Sequence, residues 1–215
     1  MRRWLARLAF AWRRARPTLH IRDPRKSARM RAVNRALANG QADLYTEVFY
    51  ADEVDIDLNP RIGSGWMPRA SQHAVATPGQ NRKNYIAGML RAHSGSVVCV
   101  EHERKNSLLF IHLLYQLKRT YRRARRIVLI VDNYAIHKSR VTRRWLARNP
   151  KFELVFKPAY CPWVNVIERL WKALHDTVTR NHQHITMESL MRDVWTFIRA
   201  AQPLPGSHHA LAKAM

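Results

Sequence analysis

Acidic residues, cysteines and long apolar runs are all scarce in this 215-residue chain, and each scarcity excludes something. Fifteen Asp and Glu face thirty-eight Lys and Arg, giving a formal net charge of +23. A field of that sign and size repels cationic partners and draws polyanions. Nucleic acid is foremost among these, because neutralising its phosphates releases condensed counterions. Cys99 and Cys161 alone make neither a disulfide framework nor a zinc site, so a reduced, cytoplasmic setting is expected. No stretch approaches the roughly 18 consecutive apolar residues of a membrane span. The opening MRRWLARLAFAWRRARP threads Arg through its apolar residues, unlike a signal peptide. What the chain does have is 47% apolar content, enough for one ordinary domain with a real core.

The basic charge is concentrated at the start. The first 35 residues carry twelve Lys or Arg against a single acid, Asp23. Trp4, Leu5, Leu8 and Trp12 recur at helical spacing and predict a short amphipathic helix over residues 1–14, closed by Pro17. A second basic helix is expected over residues 24–38, opened by Pro24 and stopped by Asn39-Gly40. Residues 1–42 therefore read as a basic helical arm lying along DNA, 43–201 as the main domain, and 202–215, with Pro203, Pro205 and Gly206, as a flexible tail.

Within the main domain the pattern alternates between strand and helix. Residues 47–56, 84–91 and 97–102 predict three strands, the first with an apolar run, Val48-Phe49-Tyr50-Ala51, that suits burial on both faces. A helix follows over 106–123, then the buried strand IVLIV (127–131), a helix over 139–147 and a strand over 152–156. The loop from Pro158 to Pro162 leads into a helix starting near Val164, and a last helix covers 187–200.

Two of these strands end in acids: VFYAD in Asp52 and IVLIVD in Asp132. Strand ends are where an open sheet presents its site residues. If these strands are parallel neighbours, the two carboxylates meet at one edge and require a proton or cation to coexist. Oxygen donors favour hard ions such as Mg²⁺ or Mn²⁺. Glu168 lies beside the buried face formed by Val164, Ile167, Leu170, Trp171 and Leu174, near enough to both core and rim to join them. Singly, each acid has a structural reading. Asp132 before Asn133 is a turn cap, Asp52 competes with Glu53, Asp55 and Asp57, and Glu168 pairs with Arg169 or Lys172.

The connecting segments draw the three together. VDNYAIHKS and KPAYCPWVNVIERLWKAL resemble the DDE transposases of the mariner superfamily, especially the bacterial insertion-sequence branch. Asp132, Asn133, His137, Lys138, Pro158, Tyr160, Pro162, Asn165, Ile167, Glu168 and Trp171 all match that pattern, and 35 residues separate Asp132 from Glu168. Upstream, Asp52-Glu53 followed by Trp66 and Pro68 is similar to the family's first-acid segment. Cys161, Trp163 and Val166 depart from it, standing where Ser, a polar residue and Pro are usual.

The resemblance implies an α/β, ribonuclease-H-like mixed sheet: three antiparallel strands, then two parallel ones, flanked by helices. It implies two Mg²⁺ or Mn²⁺ ions held by Asp52, Asp132 and Glu168, one activating water and the other stabilising the leaving oxygen at the end of a mobile element. The freed 3′-hydroxyl would then attack target DNA. Asn133, His137, Lys138, Tyr160, Asn165, Arg169 and Lys172 are expected to support the carboxylates or contact DNA. Arg140, Arg143, Arg144 and Lys157 join Lys138, Arg169 and Lys172 as candidate phosphate holders. Trp66 and Trp163 are candidates for base stacking, Trp171 and Trp195 for packing.

Double-stranded DNA is the implied partner, in a homo-oligomer that joins two ends near the nucleoid. The family begins with helix-turn-helix modules, of which about one helix remains here. A truncated copy, or a second reading frame served by a helix-turn-helix partner polypeptide, is therefore expected. Two other readings compete. One is a non-catalytic basic DNA-binding protein derived from a truncated transposase. The other is a different ribonuclease-H-like nuclease, against which the Pro158–Trp171 block argues.

Overall fold

Val48-Phe49-Tyr50-Ala51, too apolar to face solvent on either side, becomes part of the central strand β1 (Thr46–Asp57) in a computed structural model of the protein. The structure describes Trp4, Arg7 and Leu8, then residues 23–70, 73–159 and 161–204. The helix expected over 1–14, Tyr160, and the tail from residue 205 fall outside the described residues, apart from those three N-terminal positions.

β1 pairs antiparallel with β2 (Lys83–Arg91), which pairs antiparallel with β3 (Val97–His102). On its other side β1 takes β4 (Arg126–Val131) in parallel, and β5 (Phe152–Phe156) extends the sheet in parallel beyond it. The order β3-β2-β1-β4-β5 is the mixed sheet that the resemblance implies. The helices are α1 (Lys26–Ala42), α2 (Ser107–Thr120), α3 (Arg140–Ala147), α4 (Glu168–Leu174) and α5 (Met187–Ala200). Asn106, Ser139 and Thr186 cap α2, α3 and α5, each side-chain oxygen accepting backbone N–H groups of the first turn.

Side chains alternate across the pleat, so the sheet builds two cores. Val48, Tyr50, Val54 and Ile56 of β1 face α1, α4 and α5. Phe49 and Ala51 face α2 and Trp145 of α3. Leu108 of α2 faces away from this core and is exposed.

Two expectations about helix ends are corrected. α1 runs through Asn39-Gly40 to Ala42. A Cβ on Gly40 would stand 2.4 Å from Val48 Cγ2, so this glycine permits helix and strand to touch and does not act as a stop. α1 packs on the domain through Val33, Ala36 and Leu37, which are buried in its core, while Lys26, Arg31 and Arg35 stay exposed. The helix expected from Val164 begins only at Glu168, after a 3₁₀ turn at Pro162–Val164. The reason is Asn165. Its buried Nδ2 donates to the Ala51 carbonyl at 3.2 Å, drawing the chain onto β1 before the helix can form.

α4 lies close to the sheet because Gly88, paired with Asp52 across β1 and β2, carries no side chain. A Cβ there would meet the Trp171 ring at 2.6 Å and Cys99 Sγ at 3.1 Å. Gly88→Ala should therefore destabilise the fold by about 1–3 kcal/mol in urea unfolding, as overpacking does. Adding Trp171→Leu should return part of that loss, whereas strictly additive losses in the double variant would contradict the clash.

Candidate active site

The parallel register of β1 and β4 runs from Thr46↔Arg126 to Tyr50↔Ile130. Continued two residues further, it brings Asp52 level with Asp132. This corrects one expectation: Asp52 does not end its strand, since β1 continues to Asp57 along β2. It stands just past the point where pairing with β4 stops, which opens the same kind of edge. β5 repeats the geometry, with Val131 paired to Phe156, and Lys157 N–H donating to the Val131 carbonyl at 2.8 Å. Lys157 thus follows its strand as Asp132 follows β4. Glu168, the first residue of α4, approaches from the helix layer, and its Oε1 accepts from Lys157 Nζ at 3.2 Å.

Burial pushes the Asp52 carboxyl up to about 6, with the Glu168 and Asp132 carboxylates adding to the rise and Lys157 opposing it. All four groups therefore share one field. Burial also pushes Asp132 upward, but His137, the Tyr134 N–H and Lys157 more than offset it and hold this carboxyl below its usual range. Asp132 Oδ1 accepts from Tyr134 N–H at 2.9 Å and lies 3.2 Å from His137 Nε2. The turn-cap reading and the site reading of Asp132 are thus compatible.

Glu53, the neighbour of Asp52, points into the other layer. Its side chain is 3% exposed, and Oε1 lies 3.9 Å from His137 Nε2 with no hydrogen-bond partner. Burial pushes its carboxyl up to about 7. His137 is itself buried and packs edge-on against Phe110 at 4.5 Å between ring centroids. It belongs to the support of Asp132 and offers no surface to DNA.

The other expected residues divide by exposure. Asn133 joins the site's frame, its Nδ2 donating to the Lys157 carbonyl and its Oδ1 accepting from Lys138 Nζ. Asn165 is buried and fastens the Glu168 turn to β1. Lys157, expected on phosphate, is only 8% exposed and engages Glu168 instead. Lys172 pairs with Asp176 on the surface, and Arg169 is exposed beside it. Lys138, Arg140, Arg143 and Arg144 are all exposed, which suits phosphate contact. Trp66 is fully exposed and Trp163 is 71% exposed, so neither packs a core, whereas Trp171 is buried.

Glu53 and Lys157 are the two residues whose places in the site the sequence reading missed. The available signal for Lys157 was its strand-end position, the same rule that picks out Asp132. For Glu53 it was an acid on an inward pleat of a buried strand.

A divalent ion fits this donor set by chemistry. Asp52, Asp132 and Glu168 offer carboxylate oxygens, and the Asp52 carboxyl is held up by burial and by the like charge of the other two, which marks a place short of positive charge. Among the described residues, however, no three His, Cys, Asp or Glu side chains stand close enough to enclose an ion. Glu168 is held on Lys157 instead of completing a cage.

The pH dependence of the metal-free protein follows from Asp52 and Glu53. Both carboxyls are raised from their usual values, to about 6 and about 7. Their contribution is fully present in acid below pH ~4 and is lost as pH rises through ~7. Asp132, shifted the other way, acts below that window. In EDTA at pH 8, Glu53→Gln should therefore stabilise the protein by on the order of 2 kcal/mol, with the gain vanishing near pH 4. Denaturant titrations at both pH values check this, and an equal effect at pH 4 and 8 would contradict it.

The comparisons with known proteins bear on the family and the fold. The DDE superfamily endonuclease family matches residues 47–191. The insertion element IS630 uncharacterized 39 kDa protein of Shigella sonnei is 54% identical over 213 residues, covering 99% of this chain and 62% of that protein. The chain thus spans less than two thirds of that relative's length. Among solved structures, the Mos1 strand transfer complex matches with a TM-score of 0.69 at 16% identity, over 99% of this chain and 65% of that one. The catalytic domain of Mos1 mariner transposase matches with a TM-score of 0.61 at 14% identity, over 93% of this chain and 92% of that one. These likenesses establish the ribonuclease-H-like fold. The family match runs from β1 into α5 and takes in Asp52, Asp132 and Glu168, and by it the chain belongs to the DDE superfamily endonucleases.

Proposed function

We propose that this chain is the catalytic region of an insertion-sequence transposase, cutting DNA at element ends and transferring the strands with divalent ions held by Asp52, Asp132 and Glu168. The observation that carries this reading is the β1–β4 register, which levels Asp52 with Asp132 at a sheet edge that Glu168 approaches. Mos1 has been solved as a paired end complex with Mn and with Mg, which supports metal and DNA as ligands here. We take the site to hold two ions, Mg²⁺ or Mn²⁺.

Bound at these carboxylates, the ions would supply Lewis acidity and a nucleophile at neutral pH. The chain's own residues do the rest. Asp52, whose carboxyl is raised by burial first and by the neighbouring carboxylates second, would ionise more readily beside a bound cation. Asp132 is kept ionised and aimed by Tyr134 N–H and His137. Asn165 holds the turn from which Glu168 reaches the sheet. The exposed Lys138, Arg140, Arg143 and Arg144 take phosphates, which fixes the duplex without reading its sequence. The exposed Trp163 and Trp66 supply stacking surfaces.

The partners follow from the same reading. The substrates are double-stranded element ends and target DNA, handled by a homo-oligomer on the bacterial chromosome. Sequence-specific capture of the ends is, on this reading, the task of helix-turn-helix modules acting with this catalytic region. Among the described residues, no helix is long and apolar enough to cross a membrane.

The test is cleavage of end-containing DNA in Mg²⁺ or Mn²⁺. Asp132→Asn should lower nicking by roughly 10³-fold or more while leaving DNA affinity within about twofold. Wild-type protein that binds DNA equally well and never cuts it in either metal would favour the non-catalytic DNA-binding reading instead.

A further inference from the structure

Lys157 is buried, its side chain only 11% exposed, in a chain with a net charge of +23. Burying an ammonium is costly unless it is paired. Its partner is Glu168 Oε1 at 3.2 Å. The registers Tyr50↔Ile130 and Val131↔Phe156, continued along their strands, set Asp52 level with Asp132 and Asp132 level with Lys157, and the ammonium attracts both carboxylates. One ammonium therefore sits in the field of all three acids of the proposed site. Its position is fixed from behind, since its N–H donates to the Val131 carbonyl and its carbonyl accepts from Asn133 Nδ2.

We propose that Lys157 is a positioning residue that serves as the site's internal cation, gathering the three carboxylates without metal and competing with divalent ions for Glu168. This rests on reading Asp52, Asp132 and Glu168 as the metal carboxylates. Without an internal cation, three acids at one edge would repel each other, loosening α4 from the sheet. With it, the site folds before any ion arrives, and Glu168 becomes a ligand only when an ion displaces the ammonium. The competition raises the ion concentration needed for loading, so Lys157 sets the metal threshold of the site.

The proposal predicts a crossover that a merely structural lysine would not produce. In EDTA, Lys157→Met should melt at a lower temperature than wild type, because the carboxylates lose their counter-charge. In Mn²⁺, the same variant should bind the ion about tenfold more tightly, because a competing positive charge within a few ångströms is gone. Lys157→Arg, which keeps the charge, should retain weak binding and wild-type stability in EDTA.

The full chain serves for both measurements, with melting followed by circular dichroism and free Mn²⁺ counted by its paramagnetic resonance signal. Binding that is weaker or unchanged in Lys157→Met, with wild type binding Mn²⁺ normally, would overturn the role of Lys157 and leave the carboxylate reading standing. Failure of wild type and variant alike to bind Mn²⁺ would overturn both.

Discussion

Mutual repulsion among carboxylates is the constraint around which this molecule is arranged. The parallel pairing of β1 with β4 brings Asp52 level with Asp132, and the approach of α4 adds Glu168. Every neighbouring feature either brings these charges together or makes their company tolerable. Gly88 and Trp171 set how near the helix comes, and Asn165 fastens the turn before it. Tyr134 N–H and Lys157 supply the positive potential. A core could be packed with less trouble if these positions were apolar, so the cost points to a purpose beyond stability.

Much of the plan was legible in the sequence because periodicity reports burial. IVLIV is buried on both faces, and it became a central strand flanked by helix layers. The acid that follows IVLIV could be placed for the same reason. Asp52 was misplaced within its strand, because apolar patterning cannot show that β1 continues along β2 after leaving β4. Gly40 was misread because a glycine that ends a helix and one that lets a strand approach it look the same in one dimension.

Lys157 shows the limit more sharply. In a chain with +23 net charge, one more lysine near the proposed site reads as a phosphate holder. Only the fold reveals that this one follows β5 into a buried position beside Glu168. The same excess of cations that would suit a polyanion therefore conceals the one that serves the interior.

The pleat of β1 has a consequence for comparing related chains. Asp52 and Glu53 are adjacent acids that serve opposite sides of the sheet, one beside α4 and the other beside His137. Exchanging them to Glu-Asp would leave composition, charge and hydropathy untouched. Yet it would lengthen the reach by one methylene in one layer and shorten it in the other. Two homologues differing only by that transposition of letters would look equivalent to any tally of acidic residues and would hold different chemistry at the same edge.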